Sequence, residues 1–241
     1  MKAINVLSIG NSFSQDAHRY IYQLAKSEGV NIQTANLYIG GCPLLKHFQN
    51  IHGDKKDYGL EINGEQTGFR TSIKEALLTK SWDFITIQQA SPSSFNYETY
   101  LPYLTEVIAY VRKLCPKAKI LIHQTWAYES GSDKVRNFGF ETYDEMFAQI
   151  KDCYSLAAKE INADGIIPSG EVFQAALKNG IEKVHRDTFH ASFGAGRFML
   201  ALTWYKYLTN NSINDVKFNM FDEDVTEEEY KIAIKSVNEI L

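Results

Sequence analysis

Residues 4–9 form an apolar run interrupted only by small polar side chains. A nearly continuous hydrophobic stretch of that length reads as a parallel strand buried on both faces. Gly10 ends it. Asn11, Ser12 and Ser14 follow, and a helical pattern begins near Asp16, with Tyr20, Ile21, Leu24 and Ala25 on one face of residues 17–27 before Glu28-Gly29 stops it. The alternation continues, with strands predicted over 32–39, 84–88, 119–124 and 165–167. Helices are predicted over 44–50, 72–79, 97–114, 142–161, 171–179, 194–208 and 226–241. Strands exchanging with helices about five times predict one parallel sheet with helices on both faces. One stretch departs from the pattern. In 58–70, Asn63-Gly64 stands between Leu60-Glu61-Ile62 and Glu65-Gln66-Thr67, a strong signal for a small antiparallel hairpin. That hairpin could wall one side of a site or serve as a contact surface. No repeat, low-complexity stretch or linker divides the chain, so a single domain over 1–241 is expected.

Composition narrows the function classes. The 241 residues are 44% hydrophobic and 13% aromatic, ample for a sizeable core, and the formal net charge is -4. No basic block points to nucleic acid, and no apolar run approaches the roughly 20 residues of a membrane helix. The first strand starts within a few residues of Met1, which leaves no room for a signal peptide. A cytoplasmic protein is expected from the sequence as it stands, or a periplasmic or secreted one if a leader has been removed. Cys42, Cys115 and Cys153 are too few and too scattered for a disulfide framework or a metal site. Cys42, in the Gly40-Gly41-Cys42-Pro43 loop, is a low-ranking thiol nucleophile. The oligomeric state is not readable.

Ser12 is the first candidate for chemistry. A hydroxyl where a strand hands over to a helix lies at the carboxyl end of the sheet, where open α/β folds place their sites. The amides of the new helix's first turn favour negative charge there. The competing reading makes Ser12 or Ser14 a helix N-cap. Near the other end, Asp187 and His190 stand three residues apart in a loop before a helix. At that spacing in a tight turn the carboxylate can accept from the imidazole, fixing its tautomer and freeing the other nitrogen to take a proton from a hydroxyl. This is the orienting and basic half of a hydrolytic triad. The alternative is that Asp187 caps the turn and His190 the following helix. Of the remaining histidines, His18 and His47 read as surface or satisfied residues, and His123 ends a strand where it could line a site.

Gly10-Asn11-Ser12 after the first strand, together with Asp187-x-x-His190 near the C-terminus, resembles the SGNH (GDSL-type) hydrolase superfamily, and in particular a poorly described bacterial branch with a Gly-Asn-Ser-Phe-Ser turn. No Gly-x-Ser-x-Gly elbow is present. The resemblance implies a flavodoxin-like three-layer α/β sandwich and a serine esterase with Ser12, His190 and Asp187 as its catalytic residues. It also implies an oxyanion hole from the Ser12 amide, a glycine amide after the second strand and an asparagine side chain after the third. Gly41 or Gly40 matches the glycine by placement. The asparagine is missing, and Ile87-Gln88-Gln89-Ala90-Ser91 stands there instead, which makes Gln89, with Gln88 second, the expected substitute donor. No metal or cofactor is required for this chemistry.

Aromatic residues are dense in loops expected to face the site, among them Tyr97, Trp126, Tyr128, Phe138 and Phe140. Trp126 and Tyr128 are the expected substrate contacts, although core packing accounts for aromatics equally well. With no long apolar lid, the expected substrate is a small ester, a short acyl group such as O-acetyl on a carbohydrate. Two other classes compete: a non-catalytic carbohydrate-binding module on the same fold, and a flavodoxin-like anion binder using the 11–14 turn.

Overall fold

The structure, a computed structural model, describes residues 2–241. Strand β1 (Ile4–Gly10) runs into α1 (Ser12–His18) and α2 (Ile21–Ser27), and β2 (Ile32–Tyr38) leads to α3 (Leu44–Gly53). A hairpin of β3 (Tyr58–Ile62) and β4 (Glu65–Thr71) precedes α4 (Ile73–Leu78). Then come β5 (Phe84–Ile87), α5 (Tyr103–Leu114), β6 (Lys119–His123), the single turn α6 (Asp133–Arg136), α7 (Tyr143–Glu160), β7 (Gly165–Ile167) and α8 (Ser169–Lys178). The chain closes with α9 (Ala195–Thr209) and α10 (Glu227–Ile240).

The sheet order is β4-β3-β2-β1-β5-β6-β7, with five parallel strands and the hairpin added antiparallel at the β2 edge. The predicted α/β architecture is therefore borne out, five parallel strands and hairpin included. The parallel strands change their direction of winding at β1, so the crevice beyond its carboxyl end is the topological switch point where α/β folds hold ligands. Val6, Leu7 and Ile9 are wholly buried, as a central strand covered on both faces requires. One group of helices joins α1, α2, α8 and α9, and another joins α3, α4 and α5. Helix α9 is buried around most of its circumference, because α1, α2, α8 and α10 all pack against it.

Three sequence expectations shift. The helix expected over 17–27 is two: α1 begins at Ser12, because Asn11 caps it, and α2 resumes at Ile21. The helix expected over 97–114 starts at Tyr103, since Pro102 has no N–H to continue a helix from the short 3-10 turn Tyr97–Thr99. For His18 and His47 the surface reading gives way to the satisfied one: both are buried, with Ser8 Oγ 2.6 Å from His18 Nε2 and the Tyr58 hydroxyl 2.8 Å from His47 Nδ1. At the hairpin tip Asn63 and Gly64 both have positive φ, 53° and 81°, as a two-residue hairpin loop demands. A Cβ on Gly64 would stand 2.5 Å from the Arg19 carbonyl, so the tip is pressed against the α1–α2 junction. No helix among the described residues is long and apolar enough to cross a membrane.

Candidate active site

Asn11, in extended conformation, caps α1: its Oδ1 accepts from the Phe13 amide at 3.0 Å, and its own amide donates to Ser14 Oγ at 3.1 Å in a reciprocal capping box. The cap is thus neither serine of the sequence reading. Ser14 Oγ also donates toward Asn36 Oδ1 at 2.8 Å and is fully buried. Ser12 is the hydroxyl left over, half-buried at the first position of the helix.

His190 comes to it from 178 residues away. Residues 185–191 form a loop closed at its base by an antiparallel bridge between His185 and Ala191 and by an Arg186 N–H donating to the His190 carbonyl at 3.0 Å. Within the loop Thr188 holds φ at +74°, unusual for a β-branched residue, and its carbonyl accepts from the Glu129 amide at 2.8 Å. That turn lets one carboxylate do two tasks. Asp187 Oδ1 accepts from the His190 amide at 2.9 Å, and Oδ2 accepts from His190 Nδ1–H at 2.7 Å. With Nδ1 protonated, Nε2 is an acceptor, and Ser12 Oγ lies 2.8 Å from it. The alternative in which Asp187 caps its turn coexists with the imidazole contact, one oxygen for each. His190 does not cap a helix, because α9 starts at Ala195 with Gly194 at its N-cap. Partial burial pushes the Asp187 carboxyl up, but hydrogen bonds from the His190 side chain and amide, and the attraction of the imidazole's charge, outweigh it and hold the group below the usual carboxylate range.

Ser12 and His190 open onto a cleft of about 380 Å³, with Asp187 outside its lining. Gly40, Gly41 and Tyr38 line it together with Ser91, Pro92, Tyr128, Lys134, Phe138 and Phe189. Gly41 has φ +62° with open space where a Cβ would stand, so a backbone conformation rather than crowding selects glycine there. Among the described residues, neither the Ser12 nor the Gly41 amide donates to another protein group. Two amides without partners at the cleft are what a developing oxyanion needs.

The glutamines go elsewhere. Gln89 spends its NH₂ on the Thr99 carbonyl and hydroxyl, at 3.0 and 3.1 Å, while its Oε1 accepts from the Leu44 and Ala90 amides. Gln88 Nε2 donates to Asn11 Oδ1 at 2.8 Å, and its Oε1 accepts from His123 Nδ1–H at 2.5 Å. Neither lines the cleft, so neither is the expected substitute donor. Both glutamines lie beyond the end of β5, reach different partners and are fully engaged in bracing the loops. Gln88 braces Asn11, the cap of the helix that begins at Ser12. His123 does not line the site either; Ser169 Oγ is 3.2 Å from its Nε2, and burial, helped by His18, pushes its pKa down to about 3. Trp126 is also misplaced by the sequence reading. It is wholly buried, stacked on Phe13 at 4.4 Å between ring centres, with its indole N–H donating to the Phe189 carbonyl. Tyr128 does form part of the cleft wall, its hydroxyl donating to Ser91 Oγ at 2.9 Å. The hairpin contributes no cleft residue. Cys42 sits buried behind the glycines with its thiol pushed up to about 12 by burial, which leaves it unreactive as a nucleophile.

What sequence reasoning missed is the support between the two halves. Asp16, on α1 and completely buried, accepts from Arg186 Nη1 through both oxygens, at 3.0 and 2.9 Å, and from Arg197 at 2.9 and 2.8 Å. Arg186 is the residue before Asp187, so this ion pair ties the helix of Ser12 to the loop of His190. Arg186 adjacent to the Asp-x-x-His pair was a usable signal; nothing in the sequence singled out Asp16.

Residues 5–239 match the family described as Domain of unknown function (DUF4886). A DUF4886 family protein from Bacteroides uniformis superposes with a TM-score of 0.91 at 33% identity, over 99% of this chain and 94% of that one. A member of the lipolytic G-D-S-L family from Veillonella parvula gives a TM-score of 0.54 at 16% identity, over 86% of this chain and all of that one (100%). A carbohydrate esterase of family 3 from Talaromyces cellulolyticus gives 0.57 at 10% identity, over 86% and 97%. No curated protein matches the chain.

Proposed function

The chain belongs to the DUF4886 family and has the fold of SGNH hydrolases, and from its site we propose that it is a serine esterase acting on a short acyl ester of a carbohydrate-like alcohol. The observation that carries this reading is the unbroken line Ser12 Oγ, His190 Nε2, His190 Nδ1, Asp187 Oδ2, with contacts of 2.8 and 2.7 Å, at the mouth of a cleft on the sheet's switch point.

In the proposed reaction Ser12 Oγ attacks the ester carbonyl as its proton passes to His190 Nε2. The carbonyl oxygen becomes negative and is received by the Ser12 and Gly41 amides. Collapse of the tetrahedral species breaks the bond to the alcohol oxygen, which leaves with the proton from Nε2, and an acyl-Ser12 remains. Water then gives its proton to the same nitrogen, adds to the acyl carbon, and releases the carboxylic acid as Ser12 regains its hydrogen. Asp187 stays ionised and holds the ring for both halves.

The test is pre-steady-state hydrolysis of p-nitrophenyl acetate. A burst approaching one nitrophenolate per chain is expected, with Ser12 labelled by a fluorophosphonate. Ser12→Ala should abolish burst and label and lower turnover by about 10⁶-fold, as loss of an activated serine does elsewhere. A Ser12→Ala protein that keeps most of its activity would overturn the reading.

A further inference from the structure

We infer that Lys134 selects esters whose alcohol part carries a negative charge, such as an acylated acidic sugar; this rests on the esterase reading above. The cleft wall contains no Asp or Glu, and apart from His190 its only ionisable side chain that bears charge is Lys134. Its ammonium lies 3.4 Å from the centre of the Phe189 ring and 5.8 Å from that of Tyr128, both cleft residues. Among the described residues it has no carboxylate within 4.0 Å. The acidic groups nearest to it in sequence have partners: Asp133 pairs with Arg136 and Glu129 with Lys183 at 3.0 Å. Asp187 is engaged by His190. A cation held over aromatic faces, facing a cleft and lacking a counter-ion, is an arrangement that an anionic ligand completes.

The charge also has a side. Phe189 is packed on His190 with ring centres 3.9 Å apart, so Lys134, Phe189 and His190 stand in succession along one flank. His190 must deliver its proton to the departing oxygen, which puts the alcohol on that flank, while the carbonyl oxygen faces the Ser12 and Gly41 amides of the proposed reaction. Phe138, one-third exposed, stands 5.9 Å from Tyr128, centre to centre. Phe189 has the ammonium on one side and His190 on the other and Tyr128 is buried, so Phe138 is the cleft aromatic with surface left for a flat or ring-shaped alcohol beside the ammonium.

Matched esters test this. Para-acetoxybenzoate and its methyl ester share the acyl group and the leaving oxygen but differ in charge, and phenyl hemisuccinate places the charge on the acyl side. The wild-type protein should favour para-acetoxybenzoate in kcat/KM. Lys134→Gln should lower the ratio of charged to methyl ester about tenfold, Lys134→Glu should lower it further, and Lys134→Arg should keep it. Rising salt should erode the preference of the wild type. An equal loss on both esters would reduce Lys134 to a strap holding its loop on Phe189 and overturn the inference, as would a ratio indifferent to the substitution. A preference for phenyl hemisuccinate would overturn the assignment to the alcohol. These failures leave fluorophosphonate labelling of Ser12 intact, whereas its absence would remove the esterase reading and this one together.

Discussion

The turn that carries Ser12 and the loop that carries His190 meet across 2.8 Å, yet they are held by different means. The turn grows out of the central strand. Behind it runs a buried chain of neutral hydrogen bonds, Ser169 to His123 to Gln88 to Asn11, and beside it a second chain from Ser14 through Asn36 to the carboxylate of Glu61. The loop has no strand beneath it. It is closed by a single bridge, bent by a threonine at positive φ, and anchored through Arg186 to the one fully buried carboxylate of α1. A serine nucleophile needs a fixed position and an amide beside it, which a strand end and a capped helix supply. The base needs a ring oriented from a carboxylate in the same loop, and that loop needs a tether. Here the tether is charged and ends on the very helix that Ser12 begins, so both halves are referred to one element.

Cutting the tether should produce the largest separation between them. Asp16→Ala leaves two guanidinium groups facing an emptied pocket; Arg197 keeps Asp222 at 2.6 Å, while Arg186 loses its only carboxylate. Removing one partner of a buried pair costs about 3–5 kcal/mol, and the partial exposure of Arg186 favours the lower end. Chemical denaturation should show that loss. At a temperature where the variant remains folded, kcat should still fall on the order of 10²-fold, because a displacement of about 1 Å in the base suffices for it. Fluorophosphonate labelling should slow in parallel. A variant that is destabilised but turns over normally would show that the loop holds its position without α1.

How much of this was legible follows the same division. The Ser12 turn declared itself, because a buried strand ending in Gly10 before small polar residues is a local pattern. Asp187 and His190 were legible for the same reason, both partners lying within one short segment. Gly41, read together with Gly40, was placed at the cleft by its position after the second strand. The glutamine assignment failed because the pattern gives position along a strand but not which neighbour claims the amide: Thr99 and Asn11 did so first. Trp126 failed because an aromatic in a loop looks alike whether it faces solvent or a core. Asp16 with Arg186, separated by 170 residues, has no local signature, since long-range ion pairs are made only by the fold.

Acid should load both sides, the Ser12 side more heavily, since of the four buried histidines His185 alone belongs to the His190 loop. His18, His47 and His123 are buried with their pKa values pushed down to about 3, and His185 to about 4, chiefly by desolvation. In the unfolded chain each binds a proton below about pH 6.5. Between that value and the folded one the unfolded state holds more protons, so stability falls as pH falls, by up to about 1.4 kcal/mol per pH unit for each histidine. Above pH 6.5 they contribute no slope. Melting temperature should therefore be level with respect to these groups near neutrality and drop steeply from about pH 6 downward. His123→Gln should flatten the slope if it folds, and an unchanged slope would mean that this ring already takes up its proton in the folded protein.

The smallest effect expected is at Gln88, and it separates bracing from catalysis. Gln88→Leu keeps much of the buried volume but removes the donor to Asn11 Oδ1 and the acceptor for His123 Nδ1–H. Leaving a buried donor unmatched costs about 1–3 kcal/mol. Asn11 retains its bond from the Phe13 amide, so the cap persists, loosened rather than lost. A residue that contacted the oxyanion would give a fall in kcat of about 10²–10³-fold on substitution, with the melting temperature little changed. The contacts seen for Gln88 predict the reverse ranking, a clear loss of stability with a fall in kcat of about tenfold or less. Steady-state kinetics beside a denaturation curve on the one variant decides between them: a large kinetic defect in a protein of full stability would return Gln88 to the oxyanion and undo the distinction drawn between the two glutamines.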